Sequence, residues 1–288
     1  MDQANGLREL VEKSRPDGSP LRVIAVTSGK GGVGKTHLSC NLAVLAARGG
    51  RRALVIDADL GLANADIVLG IEPHRHLGHL LDGTVPLQDV LAAGPEGVQV
   101  LAASTGVQEL TRLDEAQKLR LVTALDDIED RFDLVLVDCS AGIGDNVLFF
   151  AGAAQEAILV VSPEPTSLTD AYATVKVLSQ QAGVEHFQVI VNPVPSEAHG
   201  REVWEKLTRV TDRFLQARVA YLGHVPRDEN LHRALMAQQP VVQLFPRSPS
   251  SRALQALASR ILDRSPPPSL QGGLKFLWQR IQREGAQA

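Results

Sequence analysis

The chain reads as an α/β protein with a doubly wound, mostly parallel sheet flanked by helices, and three observations point there. Short apolar, β-branched runs recur along the sequence, and stretches with helical spacing separate most of them. The runs are apolar throughout instead of alternating, as strands covered on both faces should be. The 288 residues suit one large core with appendages.

Taken in order, residues 1–20 form a short polar segment with helical character, closed by "SRPDGSP", which reads as a linker. "LRVIAVTSG" (21–29) is a strand ending in glycine, and the "THLSCNLAVLAARGG" that follows the loop is a helix closed by a glycine pair. "RALVIDAD" (52–59), "VQVLAAS" (98–104), "FDLVLVDCS" (132–140), "EAILVVSPE" (156–164) and "FQVIVNPV" (187–194) are further buried strands. Helical spacing covers 114–130, 167–182 and 199–217, and the last core helix spans roughly 249–263. A second linker, "RSPPPSLQGG", then leads to "LKFLWQRIQRE". The organisation is thus an N-terminal segment (1–20), a core domain (21–264), and a linker with a terminal amphipathic helix (265–288).

Hydrophobic residues make up 44% and charged residues 22%, ordinary values for a globular protein. A net charge of −4 gives no overall electrostatic footprint for nucleic acid, so none is expected as a specific partner. The start lacks the basic and apolar regions of a secretory signal, and no apolar run reaches the ~18 residues of a membrane span, so a cytoplasmic protein is expected. Cys40 and Cys139 have no CxxC spacing, which suggests neither a disulfide framework nor a zinc site.

"GKGGVGKT" (29–36) fits G-x-x-x-x-G-K-[ST], placed after a strand and before a helix. Backbone N–H groups of Gly29, Gly31, Gly32, Val33 and Gly34 can face phosphates, and the helix N-terminus adds positive potential. Lys35 is then expected to hold the β- and γ-phosphates of ATP, and Thr36 to ligate Mg²⁺. Asp57 and Asp59 close a strand at its C-terminal end, where open α/β sheets build their sites. Asp138 follows four apolar strand residues, the arrangement that holds Mg²⁺ directly or through water.

"KGGVGKT" resembles the deviant phosphate loop of the MinD/ParA family of P-loop ATPases. The resemblance implies that Lys30 reaches the nucleotide of a partner subunit, a cation supplied across a homodimer interface to charge developing on the γ-phosphate. It also implies that Asp59 positions the attacking water, that Asp57 helps organise the Mg²⁺ shell, and that Asn192, with Pro226, lines the adenine. Lys30, Lys35 and Asp59 are the expected catalytic set. Ser140 stands where relatives carry glycine or proline, which bears on the loop after Asp138.

His74, His76 and His79 have spacings that invite a metal, but no cysteine or carboxylate cluster accompanies them. Arg201, Lys206, Arg209, Arg213 and Arg218 are interleaved with Glu202, Glu205 and Asp212, which suits a solvated helix face better than a DNA patch. His37, where a small polar residue is common, receives no role. The cysteines do not match the cluster ligands of the nitrogenase iron protein.

The two ends narrow the family. Leu274, Leu277, Trp278 and Ile281 fall at i, i+3, i+4 and i+7, with Lys275, Arg280 and Arg283 largely beside or opposite them. One copy of so short a helix should hold a membrane weakly; two copies on a dimer should hold it far better. "DQANGLR" resembles the DQAxxLR motif of the FlhG (FleN, YlxH) group of flagellar-number regulators. By that resemblance Gln3 reaches the nucleotide of an FlhF-type GTPase, while Asp2, Ala4, Leu7 and Arg8 dock the segment. Flagellar basal-body (C-ring) proteins or a flagellar transcription regulator are the further partners implied. The expected protein is an ATP- and Mg²⁺-dependent ATPase, slow when alone, peripheral on the inner face of the cell membrane when ATP-bound. The alternatives are a cell-division-site MinD, a DNA-partition ATPase, or an iron–sulfur carrier metallochaperone.

Overall fold

The structure, a computed structural model, describes residues 21–103, 113–126, 128, 131–154 and 156–264. The N-terminal residues Asp2, Gln3, Ala4, Leu7 and Arg8, and the C-terminal Leu274, Leu277, Trp278 and Ile281, lie outside the described residues.

The chain order is β1 (Arg22–Ser28), α1 (Lys35–Arg48), β2 (Ala53–Ala58), α2 (Ala65–Leu69), α3 (Leu77–Leu81), α4 (Leu87–Val90), β3 (Leu91–Ala93) and β4 (Gln99–Leu101). It continues with α5 (Glu115–Asp126), β5 (Leu134–Ala141), α6 (Asp145–Ala153), β6 (Glu156–Val161), α7 (Pro165–Gln181) and β7 (His186–Val194). The last elements are α8 (Glu197–Phe214), β8 (Arg218–Pro226), α9 (Glu229–Met236), α10 (Val241–Leu244) and α11 (Pro249–Leu262).

One eight-stranded sheet runs β3, β4, β2, β5, β1, β6, β7, β8. Every pairing is parallel except β3 with β4. β1, β2 and β6 are buried along their whole length, which explains their uninterrupted apolar sequences. One apolar layer joins Ile24, Val26 and Val55 to Leu38 and Leu42 of α1 and to Leu254 and Leu257 of α11. The other joins Ala25, Leu54 and Val137 to Leu121 of α5, Phe150 of α6, Val175 of α7 and Val203 of α8. Helices therefore cover both faces, as expected.

Where structure and expectation differ, the reason is position in the sheet. The strand expected over 98–104 is only Gln99–Leu101, beside the antiparallel β3, which is three residues long and too short to signal itself. The helix expected over 114–130 spans Glu115–Asp126 in the described residues. β8 is the far edge strand and half exposed, so its sequence does not read as a buried run. Two of its carbonyls accept from side chains: Trp204 Nε1 donates to Val219 O at 3.2 Å and Arg260 Nη1 to Leu222 O at 2.7 Å.

At the end of the sheet where strands begin, the buried guanidinium of Arg22 on β1 pairs with Glu156 on β6. The same group donates to the carbonyls of Ile261, at the end of α11, and Arg264. One side chain thus ties the first strand to the last helix.

Candidate active site

The loop between β1 and α1 lies at the C-terminal ends of the central strands. Its entry is pressed onto α7: a side chain at Gly29 would overlap the backbone of Asp170. Its exit, Gly34, has φ +91° and ends at the N-terminus of α1. A Cβ at Gly34 would sit 2.6 Å from Asn192 Nδ2, so only glycine fits both the backbone conformation and the space. At Gly31 and Gly32 a Cβ would meet nothing within 4 Å, because both face open space. Val33 is buried and anchors the loop, its carbonyl accepting from Asn192 Nδ2 at 2.7 Å.

Two adjoining cavities open from this loop. The larger, about 570 Å³, is lined by Gly31, Gly32, Gly34, Lys35, Thr36 and His37 of the loop and α1. Asp59, Leu62, Asn64, Ile67, Val68, Ser140, Ala141 and Leu235 complete it. The smaller, about 140 Å³, is walled by Leu38, Val225, Leu231, Leu235 and Leu254, with Gly34, His37, Asn192 and His232. The Oδ1 of Asn192 is buried and lacks a hydrogen-bond partner, whereas its Nδ2 is committed to Val33. Asn192 thus contributes a side-chain amide, with one end committed to the loop, to the wall of the small cavity.

Of three carboxylates near the larger cavity, Asp59 lines it while Asp57 and Asp138 lie buried in their strands. Asp138 and Asp57 are register partners on β5 and β2, both buried. Asp138 accepts from Ser39 Oγ at 3.0 Å and from the Thr36 hydroxyl. Burial pushes its carboxyl up, and the Thr36 hydroxyl and the Lys35 ammonium only partly offset that. Asp57 accepts three backbone N–H groups, from Asp59, Asn64 and Ala65, each at 3.1 Å. Even so, burial and the neighbouring Asp138 push its carboxyl up. Asp57 thus pins the loop that carries Asp59. Asp59 is half-buried; desolvation raises its carboxyl against the pull of Lys35.

These residues fit a Mg²⁺-nucleotide. The loop offers open space where phosphates would lie, Lys35 is 8% exposed within it, and its ammonium only partly offsets the burial of Asp138. Thr36 and Asp138 lie together, with Asp57 beside them in the sheet, where they could hold Mg²⁺; one or two carboxylates plus phosphate oxygens and waters is the usual Mg²⁺ shell. Among the described residues no group of three or more His, Cys, Asp or Glu is poised to hold a metal alone.

Most of the expected residues come together here. Pro226 does not: Val225 faces the small cavity, because successive strand side chains point to opposite faces. Lys30 lies outside both cavity walls and pairs with Glu164, the residue before α7. Sequence reading missed Glu164, His37, and the Leu231, His232 and Leu235 face of α9. His76 and His79 pack with ring centroids 4.0 Å apart, the His76 N–H donating to His79 Nδ1 at the start of α3. Arg201 and Lys206 pair with Glu197 and Glu202 along α8. Cys40 and Cys139 are free and buried, and burial pushes both thiols up.

The CobQ/CobB/MinD/ParA nucleotide binding domain matches residues 24–241. The antiactivator FleN of Pseudomonas aeruginosa is 46% identical over 262 residues, 91% of this chain and 94% of FleN. The flagellum site-determining protein YlxH of Helicobacter pylori is 29% identical, covering 90% of this chain and 89% of YlxH. The septum site-determining protein MinD of Pyrococcus horikoshii, solved with Mg-ADP, superposes with a TM-score of 0.70 at 28% identity, over 84% of this chain and 96% of MinD.

Proposed function

Because the chain belongs to the CobQ/CobB/MinD/ParA nucleotide-binding family, and within it is a homologue of the antiactivator FleN, we propose that it is an ATP-dependent, dimerising ATPase that regulates flagellar number and placement. What carries the reading is a FleN relative running nearly the full length, over a loop that buries one lysine and leaves a second at its rim.

The cofactors are ATP and Mg²⁺. Lys35 and the first-turn N–H groups of α1 hold the phosphates, and Thr36 and Asp138 hold the metal. Bound Mg²⁺ neutralises phosphate charge and relieves the buried carboxylates. Asp59, on the loop pinned by Asp57, orients the attacking water. Lys30 supplies its cation to the nucleotide of a second copy, so the site is complete only in the dimer and hydrolysis is slow in the monomer. No described helix is long and apolar enough to cross a membrane; membrane binding falls to Leu274, Leu277, Trp278 and Ile281, doubled in the dimer. The segment holding Gln3 stimulates an FlhF-type GTPase.

The test is GTP hydrolysis by the cognate FlhF-type GTPase with the full chain, with a peptide of residues 1–20, and with Gln3→Ala forms of both. Stimulation abolished by the substitution is expected. Equal rates with and without the chain would sink the partner assignment and leave the ATPase switch without a known target.

A further inference from the structure

We propose that His37 is a nucleotide-binding residue that seats the sugar between the phosphate cavity and the base cavity. This rests on the nucleotide reading above.

The two cavities differ in chemistry. The larger is lined by Lys35, Thr36, Asp59 and Ser140 and suits phosphates; the smaller has leucine and valine walls with the Asn192 amide among them and suits a base. A nucleotide placed across them must pass its sugar where they meet. Three residues line both: Gly34, His37 and Leu235. Gly34 has no side chain and Leu235 has no polar atom, so His37 supplies the polar side chain of this collar. It is the third residue of α1, directly after Thr36, and its backbone carbonyl accepts from Asn41 Nδ2 at 2.7 Å. A neutral imidazole carries one donor and one acceptor, a match for sugar hydroxyls and ring oxygen. His232, which lines only the small cavity, belongs to the base side.

The sugar is common to ATP and ADP, so His37 contributes binding that does not depend on the γ-phosphate. Removing such an interaction weakens both nucleotides by one factor. A net hydrogen bond lost in a half-buried site corresponds to roughly five- to tenfold in affinity.

The experiment is calorimetric titration of the full chain with ADP, ATP and inorganic tripolyphosphate, in the presence of Mg²⁺, for wild type, His37→Ala, His37→Gln and, as a control outside the site, His79→Ala. The proposal expects His37→Ala to weaken ADP and ATP about equally, to leave tripolyphosphate unchanged, and His37→Gln to recover part of the loss. An unchanged Kd for both nucleotides, a loss confined to ATP, or an equal loss for tripolyphosphate would each overturn it. If wild type binds neither nucleotide, the parent reading fails instead, and the wild-type titration alone reports that.

Discussion

The ammonium of Lys30 is held by the carboxylate of Glu164 in its own chain, 134 positions away, just before helix α7. The lysine proposed to act on a partner's nucleotide is thereby occupied at home. In the proposed dimer Lys30 would exchange this contact for one across the interface.

The pair is solvent-exposed, with side chains 40% and 58% accessible, so it should be worth no more than about 1 kcal/mol. With one such pair in each of the two protomers, Glu164→Gln is therefore expected to shift ATP-dependent dimerisation to lower protein concentration by at most about thirtyfold. Lys30→Ala should abolish dimerisation while leaving monomer nucleotide binding intact. Light scattering after size exclusion reads both; a Lys30→Ala protein that dimerises like wild type contradicts the role.

Asp59 lines the phosphate cavity on a loop fixed by Asp57, and Lys35 lies buried opposite. Asp59→Ala is expected to bind ATP, to slow hydrolysis about a hundredfold or more, and to accumulate on vesicles as a dimer. Lys35→Ala should bind no nucleotide and remain in the supernatant. ATP-dependent sedimentation of Lys35→Ala with vesicles would break the proposed coupling.

Gly34→Ala tests the close fit between the loop and Asn192. A left-handed backbone costs an L-residue about 1–2 kcal/mol, and the added carbon sits 2.6 Å from the amide that reads the base cavity. Nucleotide affinity should fall at least about tenfold with the far-ultraviolet circular dichroism unchanged. Wild-type affinity in this variant would show that the loop and Asn192 move apart freely.

Asp228 caps α9, the helix that carries Leu231, His232 and Leu235 to the cavities. Burial would raise its carboxyl, but hydrogen bonds from Ser250 Oγ and N–H, Asn230 N–H and Ser248 outweigh it and hold the pKa down at about 2. The native state therefore gains from this group fully above the ordinary range near ~4 and loses it as pH falls towards about 2. Asp228→Ala should cost about 1 kcal/mol at neutral pH, and the deficit relative to wild type should shrink on acidification through that window. Urea midpoints of the two proteins across pH measure it; a deficit independent of pH would assign the effect to packing.

The phosphate loop and Asp138 were legible in the sequence because their chemistry is local: a contiguous glycine-rich turn between a strand and a helix, and a carboxylate closing an apolar run. Asn192 was legible as a strand end, whereas at the edge strand the sequence alone does not show that Val225, beside Pro226, lines the small cavity. Glu164 was not legible, since its partner lies in a distant loop and its own position reads only as the residue before a proline. His37 carried a signal, an imidazole in the first turn of the helix after the loop, that acquires meaning only once two cavities meet on it. The α9 wall was hidden for the same reason: Leu231 and Leu235 share a face by helical spacing, but the sheet decides what that face lines.

The Arg22 side chain has a topological consequence. Residues 22 and 264 lie 242 positions apart in the chain, yet one guanidinium on the first strand reaches the backbone of the other. The body from 21 to 264 is therefore a nearly closed loop of chain, cut at a single place, at the end of the sheet away from the nucleotide cleft. A circular permutant that joins these ends with a short flexible linker and opens at the surface turn around Gly94 keeps every strand neighbour and the whole phosphate loop. Such a ring-cut protein separates the ATPase body from both of its appended segments without touching a residue of the site.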